Sequence, residues 1–226
     1  MRKKFHSEVE YTLEDLNAMF QRMRREEYQL FTPHLNEILR ILQREGLINT
    51  TQILQVVRTR KKVQPILERH EDSSRQLLGF MRKIRSLHPQ KHSFKKLPDH
   101  IIDDNLIEKL KNVNIKNTWN LLDRTASREA RETLTQKIGI DSETLQTLVE
   151  YADLMRLMYI GKILAMKYHE AGITGVEKLA KSDPDELHKR LTRIAAKEET
   201  TPPNKTDILN NIARAKELYE IFPLIE

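Results

Sequence analysis

Three stretches decide the reading of this chain: LQREGLINT (residues 42–50), LKNVNIKNT (residues 110–118) and YHEAGITGV (residues 168–176). Each reads as the end of a helix, a Gly or Asn suited to a left-handed C-terminal residue, an aliphatic plug, and the start of a new helix. Their centres, Gly46, Asn114 and Gly172, stand 68 and 58 residues apart. A construction that returns at such intervals points to units too small to bury their own faces, packed on their neighbours.

Working outward, a helix is expected over 12–30, with Thr12 at its N-cap and Leu13, Leu16, Met19, Phe20 and Met23 at helical spacing. Thr32-Pro33 then caps and opens a helix carrying Leu35, Ile38, Leu39 and Leu42, which stops at Gly46. A short helix capped by Asn49 or Thr50 follows. After each short helix comes a basic residue and a hydroxyl, Arg58-Thr59, Arg124-Thr125 and Lys181-Ser182, the hydroxyl placed to cap or lead into a third helix. Fourth helices are expected to start near Ser73/Ser74, Asp141/Ser142 and Thr206. The fold class is therefore all-α: an opening helix followed by three degenerate four-helix units. Pro65 suggests that the third helix of the first unit starts near Gln64 and leaves Arg60, Lys61 and Lys62 on an accessible loop. Residues 88–100, with two prolines and no periodicity, read as a linker between a basic helical domain (1–87) and a second domain (101–226). Residues 197–205 read as an exposed loop inside the latter.

The composition supports a helical protein: of 226 residues, 38% are hydrophobic and 32% charged, with only 6 Gly and 8 Pro. Cysteine is absent, which excludes disulfides, zinc-thiolate sites and cysteine nucleophiles. The N-terminus carries charge but no apolar stretch after it, and no run approaches the ~18 apolar residues of a membrane span, so a cytoplasmic location without membrane contact is expected. The net charge of +6 is unevenly placed: residues 1–100 hold 20 basic and 12 acidic side chains, residues 101–226 hold 19 and 21. Residues 58–96 alone hold 12 basic against 3 acidic. Such a cluster attracts polyanions, although only Phe80 and Phe94 are at hand to stack on bases.

Residues 157–180, LMYIGKILAMKYHEAGITGVEKLA, resemble a helix-hairpin-helix, with Ile160-Gly161 at the hairpin, Ala165 on the inner helix face and Gly172-Ile173 closing it. Together with ADLMR (152–156) and IARAKEL (212–218), the order of motifs over 101–220 resembles a family of uncharacterised bacterial and archaeal domains built from tandem helix-hairpin-helix units. The resemblance implies phosphate binding by amides around Gly161 and Lys162, helped by the Lys162 ammonium. The pattern departs at Tyr159, where the first hairpin glycine would stand, and in the preceding unit at Ile101, Ile102 and Asp103; both departures favour packing or protein contact for 101–220.

The expected function is a non-enzymatic nucleic-acid-binding adaptor, with DNA favoured over RNA. Arg58, Arg60, Lys61, Lys62, Arg82, Lys83 and Arg85 would supply charge, and the corner at Arg44 and Gly46 and the hairpin at Gly161 and Lys162 would supply further contacts. Met155, Met158, Met166, Tyr159 and Tyr168 form a soft apolar cluster around the hairpin that reads first as core, and an exposed subset of it would serve the alternative function, a helical protein-interaction scaffold. No cofactor or metal set is legible: His169-Glu170 lacks the second His of a zincin helix and reads as a solvent-facing pair, His88, His92 and His100 would need the linker to fold back, and Asp103-Asp104 fits N-capping. Trp119 reads as core.

Overall fold

The computed structural model describes residues 11–22 and 31–221. The described residues are all-helical: thirteen α-helices, three short 3-10 turns, and no strand beyond an isolated bridge between Thr12 and Asn49. They divide into two compact units, with the division between His88 and Pro89.

The N-terminal unit holds α1 (Leu13–Arg22), α2 (Leu35–Arg44), α3 (Thr50–Val57), α4 (Arg60–Arg69) and α5 (Ser74–Leu87). Thr12 and Asp15 open α1 with a reciprocal cap: the Asp15 amide donates to Thr12 Oγ1 at 3.1 Å and the Thr12 amide to Asp15 Oδ2 at 2.9 Å. Phe20 stacks on Phe80 with ring centroids 4.6 Å apart, and Ile38, Leu42, Ile53 and Leu77 complete a dry interior. The continuation of the first helix beyond Arg22 lies outside the described residues.

The C-terminal unit holds α6 (Asp104–Asn112), α7 (Thr118–Arg124), α8 (Arg128–Ile138), α9 (Ser142–Met155), α10 (Lys162–Glu170), α11 (Val176–Ala180), α12 (Pro184–Lys197) and α13 (Lys205–Ile221). Trp119 is buried here, as expected. In each run of four helices the short second helix packs on the fourth: α3 on α5, α7 on α9 and α11 on α13.

The three corners read from the sequence share one backbone. Gly46, Asn114 and Gly172 take φ of 71°, 62° and 81°. The following amide reaches back across the turn, Leu47 to Leu42 O (2.8 Å), Ile115 to Leu110 O (2.9 Å) and Ile173 to Tyr168 O (2.8 Å). This is the Schellman closure, and its plugs Leu47, Ile115 and Ile173 are buried. Asn49 and Asn117 then cap the next helices by accepting from the Gln52 and Asn120 amides.

The first amide of each second helix is met from upstream. Thr50 donates to Tyr11 O at 3.0 Å while its hydroxyl accepts the Tyr11 amide at 3.2 Å; Thr118 makes the same exchange with His92, at 3.0 and 3.1 Å. Val176 instead donates to the Asp153 carboxylate, at 2.7 Å. Asp153 comes so close to Gly175 that a Cβ there would lie 2.6 Å from Oδ2, so only glycine fits. Its other oxygen accepts from Arg156 Nε at 2.6 Å, and the two side chains are 3% and 1% exposed.

Several expectations are corrected. Pro65 lies inside α4, which starts at Arg60, so Arg60, Lys61 and Lys62 occupy a helical first turn rather than a loop. A proline so near the start removes one hydrogen bond, to the Lys61 carbonyl, while Val63 and Ile66 hold the helix to the core. Residues 89–100 are not a free linker but part of the C-terminal unit. Phe94, Leu97 and Pro98 are buried, the Gln90 amide donates to Arg156 O at 2.7 Å, and Trp119 Nε1 donates to Gln90 O at 3.1 Å. His169 is half-buried rather than fully solvent-facing: it stacks on Tyr151 at 4.7 Å and bonds Glu150 at 2.7 Å. Ser127, rather than Thr125, caps α8, and residues 198–204 form the exposed connection expected before α13.

Candidate functional site

The junction of α3 and α4 concentrates the charge. Val57, Val63 and Ile66 point inward and fix the two helices, while Arg58, Arg60, Lys61 and Lys62 are all exposed. Among the described residues none of these four cations has a carboxylate within salt-bridge distance. Three of them crowd the first turn of α4, where the helix macrodipole is already positive and no acidic residue offsets it. The local field therefore favours an anion.

On α5, which packs against both α3 and α4, Arg82 and Arg85 are exposed and three residues apart, and Lys83 is half-buried. Phe80, Met81 and Ile84 occupy the opposite, buried face.

The Gly46 corner differs from what the sequence suggested. The Gly46 amide donates to Gln43 O, Leu47 to Leu42 O and Ile48 to Gln52 Oε1, so the corner's amides are spent internally and none is left for a phosphate. Arg44 lines a cleft with Glu37, Glu71 and Asp72. Glu45 pairs with Arg69 and His70, and the hydrogen bond from Arg69 foremost holds its carboxyl below the ordinary range. This face is of mixed charge, which separates it from the α3/α4 junction.

In the C-terminal unit the hairpin between α9 and α10 keeps a left-handed residue at Tyr159 (φ 77°), a buried Ile160, and Gly161 in extended backbone at the N-cap of α10. A Cβ at Gly161 would meet nothing, and no side chain accepts from the first-turn amides. Against anion binding, the Lys162 ammonium is paired with Asp99. Tyr159 and Ile163 stand 66% and 73% exposed, Met166 is exposed behind them, and Arg214 lies 4.7 Å from the centre of the Tyr159 ring. Within the Met/Tyr cluster, Met155 and Tyr168 are core, in line with the first reading of it. Burial pushes the Tyr168 hydroxyl up to about 12, and it accepts from Asn211 Nδ2 at 2.9 Å.

Sequence reasoning missed Asp99, Glu45 and Ile163. Ile163 was findable, since it falls three residues from Met166 on the same helix, one turn away. The partners Asp99 and Glu45 are 63 and 24 residues from the bases they hold, and no local pattern announces them.

No helix among the described residues is long and apolar enough to cross a membrane. Residues 101–218 match the model of a family described as a domain of unknown function (DUF4332). No curated protein and no solved structure matches the chain.

Proposed function

The chain belongs to the DUF4332 family, and from that premise we propose that it is a non-enzymatic nucleic-acid-binding adaptor whose N-terminal unit supplies the phosphate contacts, with DNA favoured over RNA. The observation that carries this reading is the set of four exposed, carboxylate-free cations in five positions, Arg58 to Lys62, at the positive end of α4. Arg82 and Arg85 extend the basic surface. Gly161, at an open N-terminus beside a left-handed Tyr159, supports reading the C-terminal hairpin as helix-hairpin-helix in shape. Its paired Lys162 makes it the weaker contact. Phosphate contacts carry no sequence information, so the adaptor binds without base preference.

The test is a salt titration of binding to duplex DNA, single-stranded DNA and RNA. Each phosphate contact contributes about −0.9 to the slope of log K against log salt for duplex DNA, so the variant R58Q/R60Q/K61Q/K62Q lowers the slope by about 3 to 4 and weakens binding at low salt by more than tenfold. Absence of binding at low ionic strength to all three, or binding unchanged in that variant, overturns the reading.

A second reading, a protein-interaction scaffold, is favoured by the exposed stripe of Tyr159, Ile163 and Met166. Under it, a partner is retained at high salt and lost in Y159S/I163S.

A further inference from the structure

The C-terminal unit contains a cavity of about 530 Å³ framed by α8, α9, α11, α13 and the Thr174-Gly175 turn, and nothing in the adaptor reading uses it. Its size falls in the range of small-molecule sites. Five cations line it, Arg128, Arg131, Arg156, Lys178 and Lys181, against the carboxylates Asp153 and Glu177.

The ion pairs divide these cations into two groups. Arg156 is held by Asp153, Lys181 by Glu177, and Arg128 by Glu132 outside the cavity. Glu177 also accepts a hydrogen bond from Tyr219, so the second lining carboxylate is fully engaged. Among the described residues Arg131 and Lys178 have no carboxylate within salt-bridge distance, one from α8 and one from α11.

Arg131 is moreover fixed in place. Its Nε donates to Thr125 O at 2.8 Å and its Nη1 to Gln146 Oε1 at 3.1 Å, while Gln146 Nε2 is tied to Glu150 at 2.9 Å. Both acceptors of Arg131 are neutral, and the residue is half-buried. A guanidinium held rigid by neutral groups keeps its full charge and most of its five N–H donors for an oxyanion. Asp153 and Arg156, which also line the cavity, are buried and held to each other.

We propose that this cavity binds a phosphorylated small molecule, with Arg131 of α8 and Lys178 of α11 contacting its phosphate. The inference does not rest on nucleic-acid binding by the N-terminal unit. An ammonium and a rigid guanidinium lining one concave site suit phosphate, which offers several acceptor oxygens and more than one negative charge.

The test is calorimetric titration of the full chain with pyrophosphate, with inorganic phosphate and ATP as further arms and adenosine as the uncharged control. Pyrophosphate is expected to bind one saturable site, adenosine not at all. ATP binding at least as tight as pyrophosphate marks a nucleotide-sized ligand. K178Q, on an exposed side chain that leaves the fold intact, weakens binding about tenfold, as does R131Q, the size of one lost charge-assisted hydrogen bond. R131K restores only part of the loss, because it keeps the charge without the fork. R58Q/R60Q/K61Q/K62Q leaves pyrophosphate binding unchanged. No saturable pyrophosphate binding, or binding indifferent to K178Q and R131Q, overturns the proposal. So does loss of pyrophosphate binding on adding duplex DNA, which would make the cavity a nucleic-acid contact.

Discussion

At Thr50 and Thr118 the amide that begins a short helix is met by a backbone carbonyl from upstream, and the threonine hydroxyl accepts that segment's own amide in return. At Val176 the same amide is met by a carboxylate, with a glycine cleared for it and an arginine buried beside it. The demand is identical at all three corners, because the first amides of a helix have no intrahelical partner and here they are buried. The first two corners meet it with neutral groups; the third brings in a charge and must then compensate it.

That contrast predicts unequal sensitivity. Asp153→Ala strips the Val176 amide of its acceptor and leaves the buried Arg156 without its counter-ion, a loss of about 3–5 kcal/mol, read as a fall in the urea midpoint of the full chain. A loss no larger than that of a surface substitution would show the third corner to be held by packing alone. Thr50→Val and Thr118→Val keep shape and remove one hydroxyl each, at a cost of about 1 kcal/mol apiece. Nearly equal values would confirm that the first two corners are the same device; unequal ones would break the pairing. Hydrogen exchange at Tyr11 and His92 reports the same bond locally.

The smallest expected effect separates those two corners from each other. The segment that meets Thr118 carries His92, whose ring bonds Met155 O at 2.9 Å. Burial holds this imidazole below its ordinary 6.5, with Lys96 adding to the fall against the hydrogen bond. The unfolded chain therefore takes up the proton first, and stability present above pH 6.5 is lost as the pH drops towards the folded-state value. His92→Gln flattens that dependence in urea midpoints measured on either side of pH 6.5, whereas the first corner, with Tyr11 in the same place, contributes nothing in that window.

The corners were legible because each is written in adjacent residues: a Gly or Asn for the left-handed turn, an aliphatic plug, and at the first two an Asn cap. Gly139, with φ 64° and an amide closing on Thr135 O, obeys the same rule where a third helix joins a fourth. Tyr159 obeys no local rule. A bulky residue pays about 1–2 kcal/mol for that backbone, and here it is framed by a buried Ile160 and an Arg214 stacked over its ring. The basic cluster was likewise legible from Arg58 to Lys62, but its helical setting was not, since proline was weighed as a helix breaker without regard to its nearness to the helix start. The cavity at Arg131 could not be read at all: its walls are drawn from positions 128 to 219, and only folding brings them together.

Pro65 has a mechanical meaning for the cations ahead of it. Without its amide, the carbonyl of Lys61 is cut off from the next turn, and the opening coil of α4 is tethered to the remainder by one rung fewer than an ordinary helix would provide. Arg60, Lys61 and Lys62 thus sit on a turn that passes one hydrogen bond fewer to the next, while Val63 and Ile66 stay seated in the interior.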